Sequence, residues 1–398
     1  MNSKMITLND VCVFIKDGTH QTPVYADDGY IFLSSKNVTS GVIDWDDVKY
    51  IPESLHEKLY KTLKPQRNDI LLAKNGTTGI AAIVDRDTVF DVYVSLAVLR
   101  PRVDLINPRY LLWAVNSPRS KAQFDSSLKG IGVPNLHLSS IAETIIPLPD
   151  MNKQLSIVKD LDEVQHGIAV CEKLIATLEL SIKSRFVDMF GDPLANPLEW
   201  PVKKLKDIST LITNGTTPKG GSENYVESGI MFLRSQNVWR NRIELDDVVY
   251  IDEATHAKMK KSSLHHKDIL ITKTGRINTE NSSLGRAALF LGADDSANIN
   301  GHVYLVRLDG TVVPEFVVTI LTGEAYRKYI RKVCVGGIDK RQINVDHVED
   351  FPIIQPPYEM QEEFSAFIDE VSESKAIVQT ILDKLKTLQA SLMQEYFG

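Results

Sequence analysis

The feature that most constrains this chain is that it repeats itself. Gly29 to Val38 reads G-Y-I-F-L-S-S-K-N-V, and Gly229 to Val238 reads G-I-M-F-L-R-S-Q-N-V. Six of these ten positions agree, where ordinary residue frequencies give about one chance match in sixteen. The offset of 200 carries on through Ile43 and Ile243, Asp46-Asp47-Val48 and Asp246-Asp247-Val248, Tyr50-Ile51 and Tyr250-Ile251, and His56 and His256. Asp69-Ile70-Leu71 then answers to Asp268-Ile269-Leu270. From Gly130-Ile131 and Gly337-Ile338 the offset is 207, and it holds through Gln154 and Gln361 to Phe190-Gly191 and Phe397-Gly398. A chain of 398 residues built this way folds as two copies of one unit of about 200 residues.

Each copy has two parts. Residues 1–150 and 192–357 carry short apolar runs between turn signals. Ile31-Leu33, Ile70-Ala73, Ala81-Val84 and Val94-Leu99 read as strands, and so do Met231-Leu233, Ile269-Thr272, Ala287-Leu291 and Val303-Leu308. Pro108 to Val115 and Pro314 to Leu321 read as short helices with proline in the first turn. Residues 151–191 and 358–398 each read as one long helix, opened by Pro147 and Pro149 or by Pro356 and Pro357. Apolar residues recur at spacings of three and four: Leu161, Val164, Ile168, Cys171, Ile175, Leu178, Ile182 and Met189 in the first helix. The second, with Phe364, Ile368, Val371, Val378, Leu382, Leu385 and Leu392, is less regular. About 38 helical residues at 1.5 Å each span roughly 57 Å. Two equivalent helices of this length predict antiparallel coiled-coil packing, a spacer between two heads. The expected fold class is α+β: two mixed α/β heads, residues 1–150 and 192–357, separated by the spacer helices 151–191 and 358–398.

Charge and chemistry narrow the function. The formal charge is −7, which taken whole disfavours a polyanionic ligand. Divided, residues 1–150 carry −1, 151–191 carry −1, 192–355 carry 0 and 356–398 carry −5. The acid excess sits on the last helix, where a protein partner is expected, and the heads are close to neutral. Cys12, Cys171 and Cys334 are far apart, so neither a disulfide framework nor a CxxC metal site is expected. No apolar run approaches the ~18 residues of a membrane span, and a cytoplasmic location is expected. No catalytic set emerges. Asp192-Pro193-Leu194 and Asn196-Pro197-Leu198 lack the aromatic ring an adenine-methylating site stacks on the flipped base. Lys219-Gly220-Gly221-Ser222 lacks the upstream spacing of a phosphate loop. His265-His266 has no third ligand nearby, and Asp46-Asp47 with Asp246-Asp247 read as turn-forming or partner-facing rather than metal-binding. A duplicated protein without catalytic residues is a bivalent binder.

The order of motifs resembles the specificity (S) subunit of type I restriction-modification systems, across essentially the whole chain. Each copy has Gly-x-x-Phe-Leu-x-Ser-x-Asn-Val, then Asp-Ile-Leu followed shortly by Lys-x-Gly. A proline turn follows (Ile146-Pro147-Leu148-Pro149; Ile353-Ile354-Gln355-Pro356-Pro357), then a glutamine opening the long helix (Gln154, Gln361) and an end in Phe-Gly. The second turn departs by carrying Ile-Gln between its apolar residue and the prolines. The resemblance implies two target recognition domains, each reading one half of a bipartite, gapped site on double-stranded DNA, with the helices setting the gap. It implies two docked methyltransferase (M) subunits that use S-adenosylmethionine, and restriction (R) subunits, where present, that use ATP and Mg. The chain itself is expected to hold no cofactor, metal or active site. A protein–protein scaffold that reads no DNA is the alternative.

Reading bases takes Arg or Lys on guanine and Asn or Gln on adenine; holding phosphate takes Lys, Arg, hydroxyls and backbone amides. Loops dense in both, at equivalent places in the copies, are the candidates. In the first they give Lys16, Thr19, His20, Gln21, Ser35, Lys36, Lys74, Asn75, Thr77 and Asn135. In the second they give Thr216, Thr217, Lys219, Arg234, Gln236, Lys273, Thr274, Arg276, Lys340, Arg341 and Gln342. Asn37 and Asn237 recur in copies expected to read different half-sites, so they are expected to be structural. Lys36 against Gln236, Asn75 against Thr274, and Pro134-Asn135 against Arg341-Gln342 differ, and are the specificity candidates. Trp45, Tyr50, Trp239 and Tyr250 are expected to fill core.

Overall fold

The structure, a computed structural model, describes residues 4–128, 135–218, 220–277, 279, 281–337 and 340–398. The chain divides into two compact units: residues 1–172 with 379–398, and residues 173–378. The spacer helices therefore do not stand as bodies of their own. Each belongs by its start to one unit and by its end to the other.

The central sheet of the first unit is fully antiparallel, in the order Cys12–Asp17, Leu96–Pro101, Ile70–Ala73, Ala81–Ile83. Its middle strand shows why an unbroken apolar run forms here. Ile70 and Leu72 face one core cluster, with Ala81, Ala97, Leu99 and the helix residues Tyr110, Leu111 and Phe124. Leu71 and Ala73 face the other, with Ala82, Val98, Leu33 and Phe90. Side chains alternate faces along a strand, and both faces are covered. A second sheet, Lys49–Ile51, Tyr30–Leu33, Phe90–Val92, is antiparallel and then parallel. Lys4–Thr7 pairs with Ile145–Leu148.

The second unit repeats this plan. Ser209–Asn214, Val303–Leu308, Ile269–Thr272 and Ala287–Leu289 form its central sheet. Tyr225–Val226, Val249–Ile251, Ile230–Leu233 and Ala297–Ile299 form the second, with Val202–Lys204 on Pro352–Ile354. Ile269 and Ile271 point to one cluster and Leu270 to the other, as in the first unit. Even the irregularities recur. The first strand of each central sheet slips register, at Cys12/Phe14 and at Ser209/Leu211. Asn68 and Lys267 both take positive φ, 73° and 66°, just before the middle strand. A buried aspartate follows each, clasped by an arginine on the neighbouring strand: Asp69 by Arg100 at 2.8 and 2.9 Å, Asp268 by Arg307 at 2.7 and 2.9 Å.

Most of the expected strands and both short helices are present, with shifted edges. The helix expected at Pro108 to Val115 spans Pro108–Val115 and its counterpart Pro314–Thr322. The strand expected at Val94-Leu99 instead spans Leu96–Pro101, because Val94 and Ser95 belong to the turn before it. Ala287-Leu291 ends at Leu289 and Ala81-Val84 at Ile83. Each long helix has 40 residues, Met151–Phe190 and Tyr358–Phe397. The buried Gln154 near the first start accepts from the Asn107 amide (2.8 Å) and donates to the Leu105 and Pro149 carbonyls. The buried Gln361 does the same for the Val313 amide and the Pro356 carbonyl. That fixes where each long helix leaves its head.

Within the first unit, the helix segments meet in opposite directions. Gln389 donates to Gln165 at 2.8 Å and Tyr396 to Asp160 at 2.9 Å. Met393 and Phe397 complete the head's core beside Tyr110, and Arg119 donates to the last two carbonyls, of Phe397 and Gly398. Within the second unit, Arg185 meets Glu363 at 2.5 Å and Lys375 pairs with Glu179. Phe186 and Phe190 pack there on Phe316 and Phe364. Leu161, Val164, Ile168, Val371, Val378 and Leu382 are buried; Ile175, Leu178, Ile182, Ile368, Leu385 and Leu392 are half-buried.

Candidate nucleic-acid interface

In each unit, the candidate loops gather at a turn that opens one strand of the central sheet. In the first unit this turn is Tyr93-Val94-Ser95. Thr19 bridges to Tyr93, and the Val94 amide donates to the Thr19 carbonyl at 3.0 Å. The Ser35 amide donates to Ser95 Oγ at 3.0 Å, and the Lys74 amide to the Ser95 carbonyl at 2.9 Å. Asn75 bridges to Asn135. In the second unit the turn is Asn300-Gly301-His302. The Asn300 amide donates to the Leu233 carbonyl at 3.0 Å, beside Arg234, and the Lys273 amide to the His302 carbonyl at 2.8 Å. Thr274–Gly275, Arg341–Gln342 and Val335–Gly336 then form a small ribbon, with Thr274 opposite Gln342 and Gly275 opposite Arg341.

A glycine lets the first loop of each unit reach its turn. A Cβ on Gly18 would lie 1.8 Å from the Val92 carbonyl oxygen, and one on Gly215 would lie 1.9 Å from that of Ile299. No side chain fits where backbones approach this closely.

Asn37 and Asn237 do the same work in both units. Both are buried. Each side-chain oxygen accepts the amide three residues earlier, Ser34 or Arg234, at 2.9 Å. Each side-chain nitrogen donates to the next loop: Asn37 to the Asp44 and Asp47 carbonyls, Asn237 to the Glu244 carbonyl and Asp247 Oδ1. Asp46-Asp47 and Asp246-Asp247 thus lie in a loop tied to the segment that carries Asn37 or Asn237. The Gln236 amide and then the Arg234 guanidinium hold the Asp247 carboxyl below the usual carboxylate range.

The candidate side chains divide by exposure. Lys16, His20, Gln21, Lys36, Thr77 and Asn135 are exposed in the first unit. Thr216, Thr217, Gln236, Arg276, Lys340 and Gln342 are exposed in the second. Thr19, Ser35, Asn75, Arg234, Lys273, Thr274 and Arg341 are half-buried. Lys74 differs from the expected exposed donor. Its side chain is 7% exposed and its ammonium sits 2.6 Å from Asp17 Oδ2, so it ties two loops together. Lys273, at the equivalent place, lies over the Tyr304 ring at 5.7 Å. Asn75 Oδ1, Arg234 Nε and Arg341 Nε are buried and have no hydrogen-bond partner among the described residues. Lys219 and the loop stretches 130–134 and 338–339 lie outside the described residues. Trp45 borders a core cluster, edge-on to Phe90, while Trp239 is half-buried with the Arg286 guanidinium over its ring.

Sequence reasoning missed the two gathering turns and Asp17. The signal was present: the 207 offset pairs Tyr93-Val94-Ser95 with Asn300-Gly301-His302, in each copy just ahead of an apolar strand. Among the described residues, no group of three or more His, Cys, Asp or Glu could hold a metal, and no helix is long and apolar enough to cross a membrane.

The chain is similar to several known proteins. The EcoBI specificity subunit of a type I restriction enzyme from Escherichia coli is 25% identical over 137 residues, 34% of this chain and 29% of that protein. The MjaVIII specificity subunit from Methanocaldococcus jannaschii is 25% identical over 154 residues, 37% of this chain and 36% of that one. The chain spans less than half the length of the curated relatives it matches. In fold it resembles the crystal structure of a type I restriction-modification S subunit from M. genitalium, with a TM-score of 0.61 at 13% identity, covering 100% of this chain and 96% of that one. The model of the type I restriction modification DNA specificity domain matches residues 2–180 and again 197–387. Matched twice over nearly its whole length, the chain belongs to that family.

Proposed function

We propose that this chain is the sequence-reading subunit of a type I restriction-modification complex. Each head reads one half of a bipartite, gapped site on double-stranded DNA. The observation that carries this is the duplicated gathering of polar loops: one frame of glycine, asparagine and turn, presenting Lys36, Asn75 and Asn135 in one copy and Gln236, Thr274 and Arg341-Gln342 in the other. A shared frame with unlike tips suits two half-sites of different sequence. The paired 40-residue helices act as an antiparallel coiled-coil ruler for the gap and as the docking surface for two methyltransferase subunits. Those subunits use S-adenosylmethionine to methylate adenine, and restriction subunits add ATP- and Mg-dependent cleavage. The chain contributes no catalytic residue, and the complex works in the cytoplasm.

The test is to express the chain with its methyltransferase partner and map modified adenines across genomic DNA. A single gapped, two-part motif is expected, changed in only one half by substitutions in one head. Scattered or ungapped methylation overturns the reading.

A further inference from the structure

The second head carries positive charge that extends beyond the candidate loop ending at Arg276. Beside its ribbon lies a cleft lined by Arg276, Ser282, Leu284, Arg327, Ile330 and Arg331. Gly275 allows it to form: a Cβ there would lie 2.3 Å from the Leu284 amide nitrogen and 2.7 Å from Ser282 Oγ. Arg276 and Arg331 are exposed, and Arg331 Nη2 donates to the Ile277 carbonyl at 3.3 Å. Arg327 is half-buried, with Glu324 3.3 Å away. The helix supplying two of these arginines, Glu324–Val333, carries Arg327, Lys328, Arg331 and Lys332 against one acid, Glu324.

The first head is less basic at the equivalent place. Its equivalent helix, Pro118–Ser127, carries Arg119, Lys121 and Asp125. Arg119 is spent on the carbonyls of Phe397 and Gly398. Planar guanidinium groups lining one cleft suit the oxygens of a phosphate, and Ser282, buried in its wall, accepts the Leu284 amide at 3.1 Å and keeps its hydroxyl proton to donate.

We propose that the cleft of Arg276, Ser282 and Arg331 binds a backbone phosphodiester of the DNA, so that the second head supplies a sequence-independent clamp the first head lacks. This rests on the DNA-reading function above and adds to it where the phosphate is held and by which head. Each neutralised phosphate contributes about 0.9 to the slope of log affinity against log salt.

The experiment compares the chain in complex with its methyltransferase partner and the same complex carrying Arg276→Gln and Arg331→Gln. Binding is measured between 50 and 200 mM KCl on a duplex with the mapped motif and on one with both halves scrambled. Losing this one phosphate contact lowers the slope by about 0.9, so the variant loses ~3.5-fold less affinity than wild type over that fourfold rise in salt. The loss at 50 mM is expected to be the same factor on both duplexes. Equal slopes, or a loss confined to the motif duplex, overturn the clamp. If sodium phosphate alone raises the Tm of wild type but not of the variant while duplex slopes stay equal, the cleft takes free phosphate and the DNA assignment falls. No binding of either duplex by wild type overturns the DNA-reading function itself.

Discussion

Removing Asp17 tests whether the buried ion pair organises the gathered loops of the first head. Lys74 Nζ lies 2.6 Å from Asp17 Oδ2, with the lysine side chain 7% exposed and the aspartate 16%. The pair joins residues 57 apart in sequence: the 16–21 loop and the end of the middle strand. Asp17→Ala strands an ammonium that water barely reaches. Breaking a buried pair this way costs roughly 3–5 kcal/mol, and the partial exposure of Asp17 places it near 3. Replacing both partners, Asp17→Ala with Lys74→Met, removes the stranded charge and leaves about 1 kcal/mol or less of that loss. Lys74→Met therefore recovers about 2 kcal/mol in the Asp17→Ala background, and the coupling exceeds this by whatever Lys74→Met costs alone. A chain of two units is unsuited to a single two-state fit, so the assay is native-state hydrogen exchange. The Ile70–Ala73 and Leu96–Pro101 amides report on the first unit, and Ile269–Thr272 serve as internal reference. At 1.36 kcal/mol per decade, Asp17→Ala speeds the former by about 150-fold, while the double variant stays within about fivefold of wild type. The reference amides do not change. Acceleration below about fivefold in the single variant, or a double variant as fast as the single, refutes the pair's structural role.

Gly18→Ala drives a methyl into the Val92 carbonyl 1.8 Å away and is expected to cost about 3 kcal/mol or more; Gly215→Ala behaves alike in the second unit, and a neutral result by hydrogen exchange at either site argues against the close approach. Asn237→Ala leaves the Arg234 amide without its acceptor and costs about 1–3 kcal/mol; it is expected to weaken methylation at every variant of the second half-site equally, and a changed base preference marks Asn237 as a reader instead. Burial raises the Asp91 carboxyl above its ordinary 3.8, against the lowering hydrogen bond with His56 at 2.6 Å. A raised folded value means its contribution to stability is present below 3.8 and lost as pH rises through the folded value. Asp91→Asn is expected to flatten that dependence in the first unit's hydrogen exchange, and an unchanged profile refutes the assignment. The second unit, with Asn298 bonded to His256 at the equivalent place, lacks this dependence already.

Much of the frame was legible because it is local or apolar. Ile70-Leu71-Leu72-Ala73 announces a strand covered on both faces, and Pro108 and Pro314 announce helix starts, since the chemistry that fixes them sits in consecutive residues. The ribbon of Thr274–Gly275, Arg341–Gln342 and Val335–Gly336 was not legible. Strands of two residues have no periodicity to read, and only the tertiary pairing across 67 residues, Thr274 on Gln342, gives them a conformation. Lys74 was misjudged for a related reason. Its loop signature, Lys-Asn-Gly-Thr-Thr, is that of an exposed turn, and the carboxylate that buries it is distant in sequence. Recurrence alone marks Asn37 and Asn237 as structural, and their matching bonds show what duplication adds to a single sequence.

The two copies separate what the fold requires from what it leaves free. Asp69 with Arg100, Asn37 with its loop, Gln154 with the Asn107 amide and Gly18 against Val92 each have a counterpart at the same place in the second unit. Each is a buried polar or close-packed contact whose removal leaves an unpaired group or a clash, so the same residue type is needed twice. Other side chains differ where they face solvent from the gathered loops, as with Lys36 and Gln236, or Asn135 and Gln342, whose identity costs the frame little. Lys74 and Lys273 stand between these classes, since one is neutralised by Asp17 and the other lies on the ring of Tyr304. The same residue type at one aligned position therefore makes different contacts in the two heads. An exchange of loop tips between heads is tolerated by the frame only if Asp17 travels with the loop that bears Lys74.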